Sequence, residues 1–178
     1  DQTHGINDLR IFFIKNKKKI PIYCDQQTKN YLLKNFNYCF KKTTSYEAIL
    51  AINTIKKINQ FKDQNIKLNI KCIKVRHGKI ECSAFIINNK CAYLSDVNMI
   101  HQKDYKHFKN LKYFVVDCLR YNEHPSHYNL EQVLKLIEIL KPKKSILTNL
   151  HTDLDYNKIK KLLPKNISPA YDGMSFKL

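Results

Sequence analysis

Two periods of apolar residues run through the chain. Ile66-Lys67-Leu68-Asn69-Ile70-Lys71-Cys72 alternates at every position, which predicts a half-buried strand. Ala84-Phe85-Ile86-Ile87 and Cys91-Ala92-Tyr93-Leu94 flank Asn88-Asn89, the pattern of a hairpin. Tyr113 to Val116 and Ser145-Ile146-Leu147 are short unbroken apolar runs of the buried-strand type, and Ile20-Pro21-Ile22-Tyr23 is a further short strand ending at Asp25. The helical period appears at Leu130, Val133, Leu134, Ile137 and Leu140, and again at Tyr31, Leu32 and Phe36. A first helix, capped by Thr3 or Asn7, is expected to run toward Ile14, and another from Asp153 to Leu163. Two short strands are expected around Ala170 and Phe176, with Asp172-Gly173 between them. Residues 37–65 carry no legible period.

Strands alternating with helices, plus one hairpin, predict an α/β fold with a mixed sheet. At 178 residues the chain reads as one domain, residues 1–178. One feature recurs: strand after strand ends in Asp, His or Asn. An α/β fold places its site outside such strand ends.

Composition adds less than it first suggests. With 43% hydrophobic and 26% charged residues the chain is globular, and no apolar run approaches the roughly 18 residues of a membrane span, so no membrane partner is expected. The formal net charge is +17, yet only three of the 32 cations are arginine (Arg10, Arg76 and Arg120). Arginine is the residue that forks onto phosphates. Abundant Lys, Asn and Ile without any Trp is the usage of an AT-rich genome. Nucleic acid is therefore an alternative partner rather than the favoured one, although a basic surface attracts any anionic substrate. The six cysteines form no C-x-x-C pair and lie in apolar stretches, which reads as reduced thiols in a cytoplasmic protein.

The candidate chemistry lies in Asp1, His4, His77, Asp96, His124, His127, Asn149 and His151. Imidazole and carboxylate together are ligands for zinc, manganese or iron. Two such ions about 3.5–4 Å apart activate water and clamp an in-line displacement. The plainer reading stands beside it: His101 and His107 are surface residues of a polar stretch, and Asp96 could simply cap a helix.

The order of the segments DQTHGINDLR, VRHGKIECSAFI, AYLSDVN, VVDCLRYNEHPSHYNL, ILTNLHTDLDY and AYDGM resembles the metallo-β-lactamase fold superfamily. Within it the likeness is to the phosphodiesterase branch that includes phosphoribosyl cyclic phosphodiesterase. The resemblance implies an αβ/βα sandwich with mixed sheets and two divalent ions, Zn²⁺ or Mn²⁺. Asp1 resembles the Asp of the family's H-x-H-x-D-H motif, so the two preceding histidines would lie before residue 1. The chain would then begin inside the signature and lack the first strands, and on its own it is expected to be inactive. His77 matches the next histidine ligand and Asp96 the bridging carboxylate. His127 matches a histidine beside the substrate phosphate, a candidate general acid, with His124 as the weaker alternative.

Two positions depart from the family. Gln2 stands where the motif has its last histidine, and Asn149 where a late strand has L-T-H. Three explanations are open. His4 and His151 rebuild the second site, or Gln2 and Asn149 contribute amide oxygens to a harder metal, or the site is lost. The resemblance thus implies a metal-dependent hydrolase of a phosphodiester, acting on a small phosphorylated substrate, with a homodimer as an open assembly. An RNA-processing nuclease of the same fold and a non-catalytic basic binding module are the alternatives.

Overall fold

The computed structural model describes residues 3–63 and 66–178 of the chain. It divides into two compact units, residues 1–56 and 57–178.

The first unit holds three helices, α1 (Arg10–Asn16), α2 (Gln26–Asn35) and α3 (Asn37–Phe40). Strands β1 (Ile20–Cys24) and β2 (Leu50–Thr54) pair in parallel, with Ile20 opposite Leu50. Asp25 ends β1 and caps α2, its carboxylate accepting from Thr28 N–H at 2.9 Å, which satisfies one of the helix's orphan donors. Cys39, Ile49 and Leu50 form a small core with Phe13, Ile20, Ile22, Phe36 and Phe40 packed on it. The expected N-terminal helix opens instead as a 3-10 turn (His4–Leu9), and Thr3 makes no side-chain cap. Its backbone is already turned into the helical region, with φ −103 and ψ −5, where a cap residue would be extended.

The second unit is built on a seven-stranded sheet in the order β3-β4-β5-β6-β7-β8-β9. Strands β3 (Ile58–Asp63), β4 (Ile66–His77), β5 (Ile80–Ile87) and β6 (Cys91–Leu94) run antiparallel as a meander. Strands β7 (Tyr113–Asp117), β8 (Lys144–Thr148) and β9 (Ile167–Pro169) continue from β6 in parallel. The sheet is mixed, as expected. The parallel half requires crossovers, which are a 3-10 turn (Gln102–His107), α4 (Leu130–Leu140) and α5 (Tyr156–Leu162). Parallel strands all end on one edge, so Ser95-Asp96 after β6, Asp117 at the end of β7 and Asn149 after β8 share it.

The main core joins Ile73, Val75, Ala84, Ile86, Leu94, Phe114, Val116 and Leu147 of the sheet to Val133, Leu136, Ile137 and Leu140 of α4. On the other face Cys91, Val115 and Ile146 pack with Tyr113, Ala170 and Met174. Strand β7 is covered on both faces, which is why Tyr113 to Val116 reads as an unbroken apolar run. Helix α4 starts at a reciprocal capping box: Asn129 accepts from Gln132 N–H at 2.8 Å, and Gln132 accepts from Asn129 N–H at 3.1 Å.

Two expectations are corrected here. Helix α5 begins at Tyr156, capped by Asp155, because the Asp153 carboxylate is held by His151 instead. No strand forms around Phe176; its ring stacks on Tyr113, centroids 4.3 Å apart, and that contact holds the tail. The opaque stretch 37–65 contains α3, β2 and β3. Among the described residues no helix is long and apolar enough to cross a membrane.

Candidate metal centre

Three of the candidate residues meet at the strand ends of the second unit. Ligand atoms of His77, Asp96 and His127 all lie within 4.8 Å of one another, each residue half-buried. His77 is the last residue of β4, Asp96 follows β6, and His127 sits in the loop between β7 and α4.

Each imidazole is fixed by a bond on the nitrogen that faces away from a ligand role. His77 Nδ1 is 2.8 Å from the Ser126 carbonyl, which can only accept, so Nδ1 carries the proton and Nε2 the lone pair. His127 Nδ1 is 2.5 Å from Asp117 Oδ2. The Asp117 side chain is wholly buried and that of His127 only 15% exposed. Asp117 Oδ2 also accepts from Val97 N–H at 3.0 Å, and its Oδ1 accepts from Asn149 Nδ2 at 3.2 Å. Burial pushes the Asp117 carboxyl above its ordinary pKa, while the Val97, His127 and Asn149 donors pull it back. Imidazoles held by a carbonyl and by a carboxylate are how metal-ligating histidines are oriented.

His124 lies beside this cluster, its ring centroid 5.0 Å from that of His127, and the His127 and His77 rings are 4.6 Å apart. His124 Nδ1 accepts from Ser126 N–H at 3.3 Å, which leaves the proton on Nε2. Burial first, then the neighbouring His127, Arg120 and His77, lower its pKa.

Asp1 and Gln2 lie outside the described residues. His4 belongs to the first unit, where its ring meets Phe36 edge-on at 5.9 Å. His151 is 56% exposed and bonds Asp153 Oδ1 at 3.1 Å, so it is not brought to the cluster. Asn149 does reach it. Its amide nitrogen bonds Asp117 Oδ1 and, at 3.5 Å, the Ser95 carbonyl, which turns the amide oxygen away from both acceptors. Residue 149 has φ 61, a left-handed conformation that asparagine tolerates better than most residues.

Sequence reasoning placed Asp117 only at a strand end and missed its buried role. The signal was present: an ionisable residue closing a run of otherwise apolar, doubly covered positions needs partners. Gly78, directly after His77, carries two constraints that sequence alone does not show. Its φ is +61, and a Cβ there would come within 3.0 Å of Ser126 Cβ, beside the carbonyl that holds His77. Gly78→Ala is expected to cost about 1–2 kcal/mol of stability from the left-handed backbone alone, measured by denaturant unfolding. An unchanged unfolding midpoint would show that the turn relaxes freely.

The model of the family described as the beta-lactamase superfamily domain matches residues 1–149. An octanoyltransferase of Porphyromonas gingivalis is 26% identical over 178 residues, which are 98% of this chain but 35% of that protein. The crystal structure of a diphosphatase from the PhnP family is 24% identical, with a TM-score of 0.83 over 96% of this chain and 64% of that one. The zinc-bound structure of PqqB from Methylobacterium extorquens is 10% identical, with a TM-score of 0.68 over 90% of this chain and 66% of that one. The chain thus spans about a third of the curated relative and just under two thirds of the diphosphatase.

Proposed function

The chain belongs to the metallo-β-lactamase superfamily, and from that premise we propose that it is a metal-dependent hydrolase that cleaves a phosphodiester in a small cyclic phosphate or a nucleotide-like substrate. The observation that carries this reading is the convergence of His77, Asp96 and His127 with both imidazoles held through Nδ1. The free donors of that group, His77 Nε2 and the Asp96 carboxylate, suit Zn²⁺ or Mn²⁺. Once bound, such ions polarise a phosphoryl oxygen and lower the pKa of water. His77 and Asp96 would hold an ion at this edge of the second unit. For a second ion Asn149 is the better late ligand, since the His151 imidazole is held by Asp153.

His127 has the proton-transfer role. With Nδ1–H on the Asp117 carboxylate, the proton to be given to the departing ester oxygen is on Nε2. The buried carboxylate stabilises the imidazolium, the same logic as in a Ser-His-Asp triad. His124, whose Nδ1 accepts from Ser126 N–H, has its proton on Nε2 to donate to a phosphoryl oxygen.

The whole natural chain carrying these residues is expected to release a chromophore from a bis-aryl phosphodiester with Mn²⁺ or Zn²⁺, and to stop in chelator. Equal rates with and without chelator would overturn the reading. The net charge of +17 favours one second reading, an RNA-processing nuclease of the same fold. Cleavage of tRNA precursors with none of small diesters would select it. Steep salt-dependent DNA binding without retained metal would select a non-catalytic module instead.

A further inference from the structure

We infer that Asn98 is a positioning residue of the metal centre, an amide that sets the spacing of the three segments carrying His77, Asp96 and His127; the inference rests on the metal-hydrolase reading. Asn98 is two residues beyond Asp96. Both ends of its side chain leave its own segment. Oδ1 accepts from Gly78 N–H at 3.0 Å, in the turn directly after His77. Nδ2 donates to the Pro125 carbonyl at 3.0 Å, in the loop two residues before His127. One planar amide therefore touches the backbone beside each of the other two cluster residues. Its own backbone is anchored as well, since Asn98 N–H donates to Arg76 O at 2.9 Å.

The other ties between the segments are pairwise. The segments come from the β4–β5 turn, the end of β6 and the loop after β7, and are far apart in sequence. His77 Nδ1 to Ser126 O ties the first to the third, and Val97 N–H to Asp117 Oδ2 ties the second to the residue holding His127. Backbone bonds from Tyr128 N–H to Val97 O and from Arg76 N–H to Met99 O, each 2.9 Å, add further ties, but every one of them joins two segments. The Asn98 side chain joins all three, and with both amide ends in use it acts through His77 and His127 rather than on an ion. An aspartate would lose the donor to Pro125, and a shorter side chain would lose both bonds. Asparagine fits because one side needs an acceptor and the other a donor.

The test titrates Mn²⁺ into the whole natural chain, followed by electron paramagnetic resonance. Manganese avoids the six free thiols that zinc would also engage. Asn98→Ala is expected to weaken Mn²⁺ affinity about 10–100-fold, the usual effect of losing a residue that orients ligands. Its metal-free melting midpoint should fall by only about 2–4 °C. Asn98→Gln keeps both amide groups on a longer arm and is expected to recover part of the affinity; it also serves if the alanine variant does not fold. His77→Ala marks full loss. If wild type and Asn98→Ala bind Mn²⁺ equally while His77→Ala does not, the inference is wrong and the hydrolase reading stands. If wild type binds no Mn²⁺, the hydrolase reading itself falls.

Discussion

Asp96→Ala is expected to lower kcat for a phosphodiester by about a thousandfold. A metal at this site contributes several kcal/mol of transition-state stabilisation, at a factor of ten in rate per 1.36 kcal/mol. Asp96 is the only carboxylate among the three residues of the described cluster, so its loss leaves His77 without a charged partner to hold a dication. Stability should change little, because Asp96 is at the half-exposed rim of the sheet. The measurement is kcat under saturating Mn²⁺ together with bound metal per chain. Full activity in Asp96→Ala would rule out the mechanism, whatever the fold.

The second large effect is expected at Asp117. Asp117→Asn keeps the shape but removes the charge that faces His127 Nδ1, and one of the two oxygens that accept three hydrogen bonds becomes a donor. The expected result is a fall in kcat of about a hundredfold, with KM nearly constant, as for other groups that orient a catalytic imidazole. Burial raises the Asp117 pKa in the folded state. For a raised carboxyl the folded protein binds more protons than the unfolded one, so stability is greatest below the unfolded pKa and declines as pH rises to the folded value. The ionised form is thus kept at a cost to stability, which is consistent with a use for the charge. It also predicts that Asp117→Asn loses less stability at neutral pH than its complete burial suggests. A variant with wild-type kcat would mean that His127 needs no counter-charge.

Much of the fold could be read from local pattern. Leu130 to Leu140 has a helical apolar stripe bounded by an asparagine cap, and the structure puts α4 over those residues. Asn88-Asn89 between two apolar runs marks a hairpin, and both residues take the positive φ that such turns require. Where the pattern failed, long-range contact decided. Phe176 lies in a tail without strand pairing, held by stacking on Tyr113, 63 positions earlier in the chain, and by Lys112 Nζ on the Lys177 carbonyl. Strands β2 and β3 lie in a lysine- and asparagine-rich stretch, where half-exposed positions blur the alternation.

The site divides along the same line. His77, Asp96 and His127 were visible by residue type, by their place at strand ends and by their order along the chain, because metal and proton chemistry needs those side chains. Their grouping depends on sheet topology: β4 runs in the direction of β6 because two antiparallel pairings separate them, and β7 is parallel to β6, so the ends of β4, β6 and β7 meet at one edge. The tautomers of His77 and His127, the turning of His151 toward Asp153, and the bridge made by Asn98 depend on which polar atoms fall within about 3 Å. Hydropathy along a chain carries periods of two and 3.6 residues and so determines elements. A hydrogen bond between residues 20 or 27 positions apart, as at Asn98, has no period and exists only once the chain has folded.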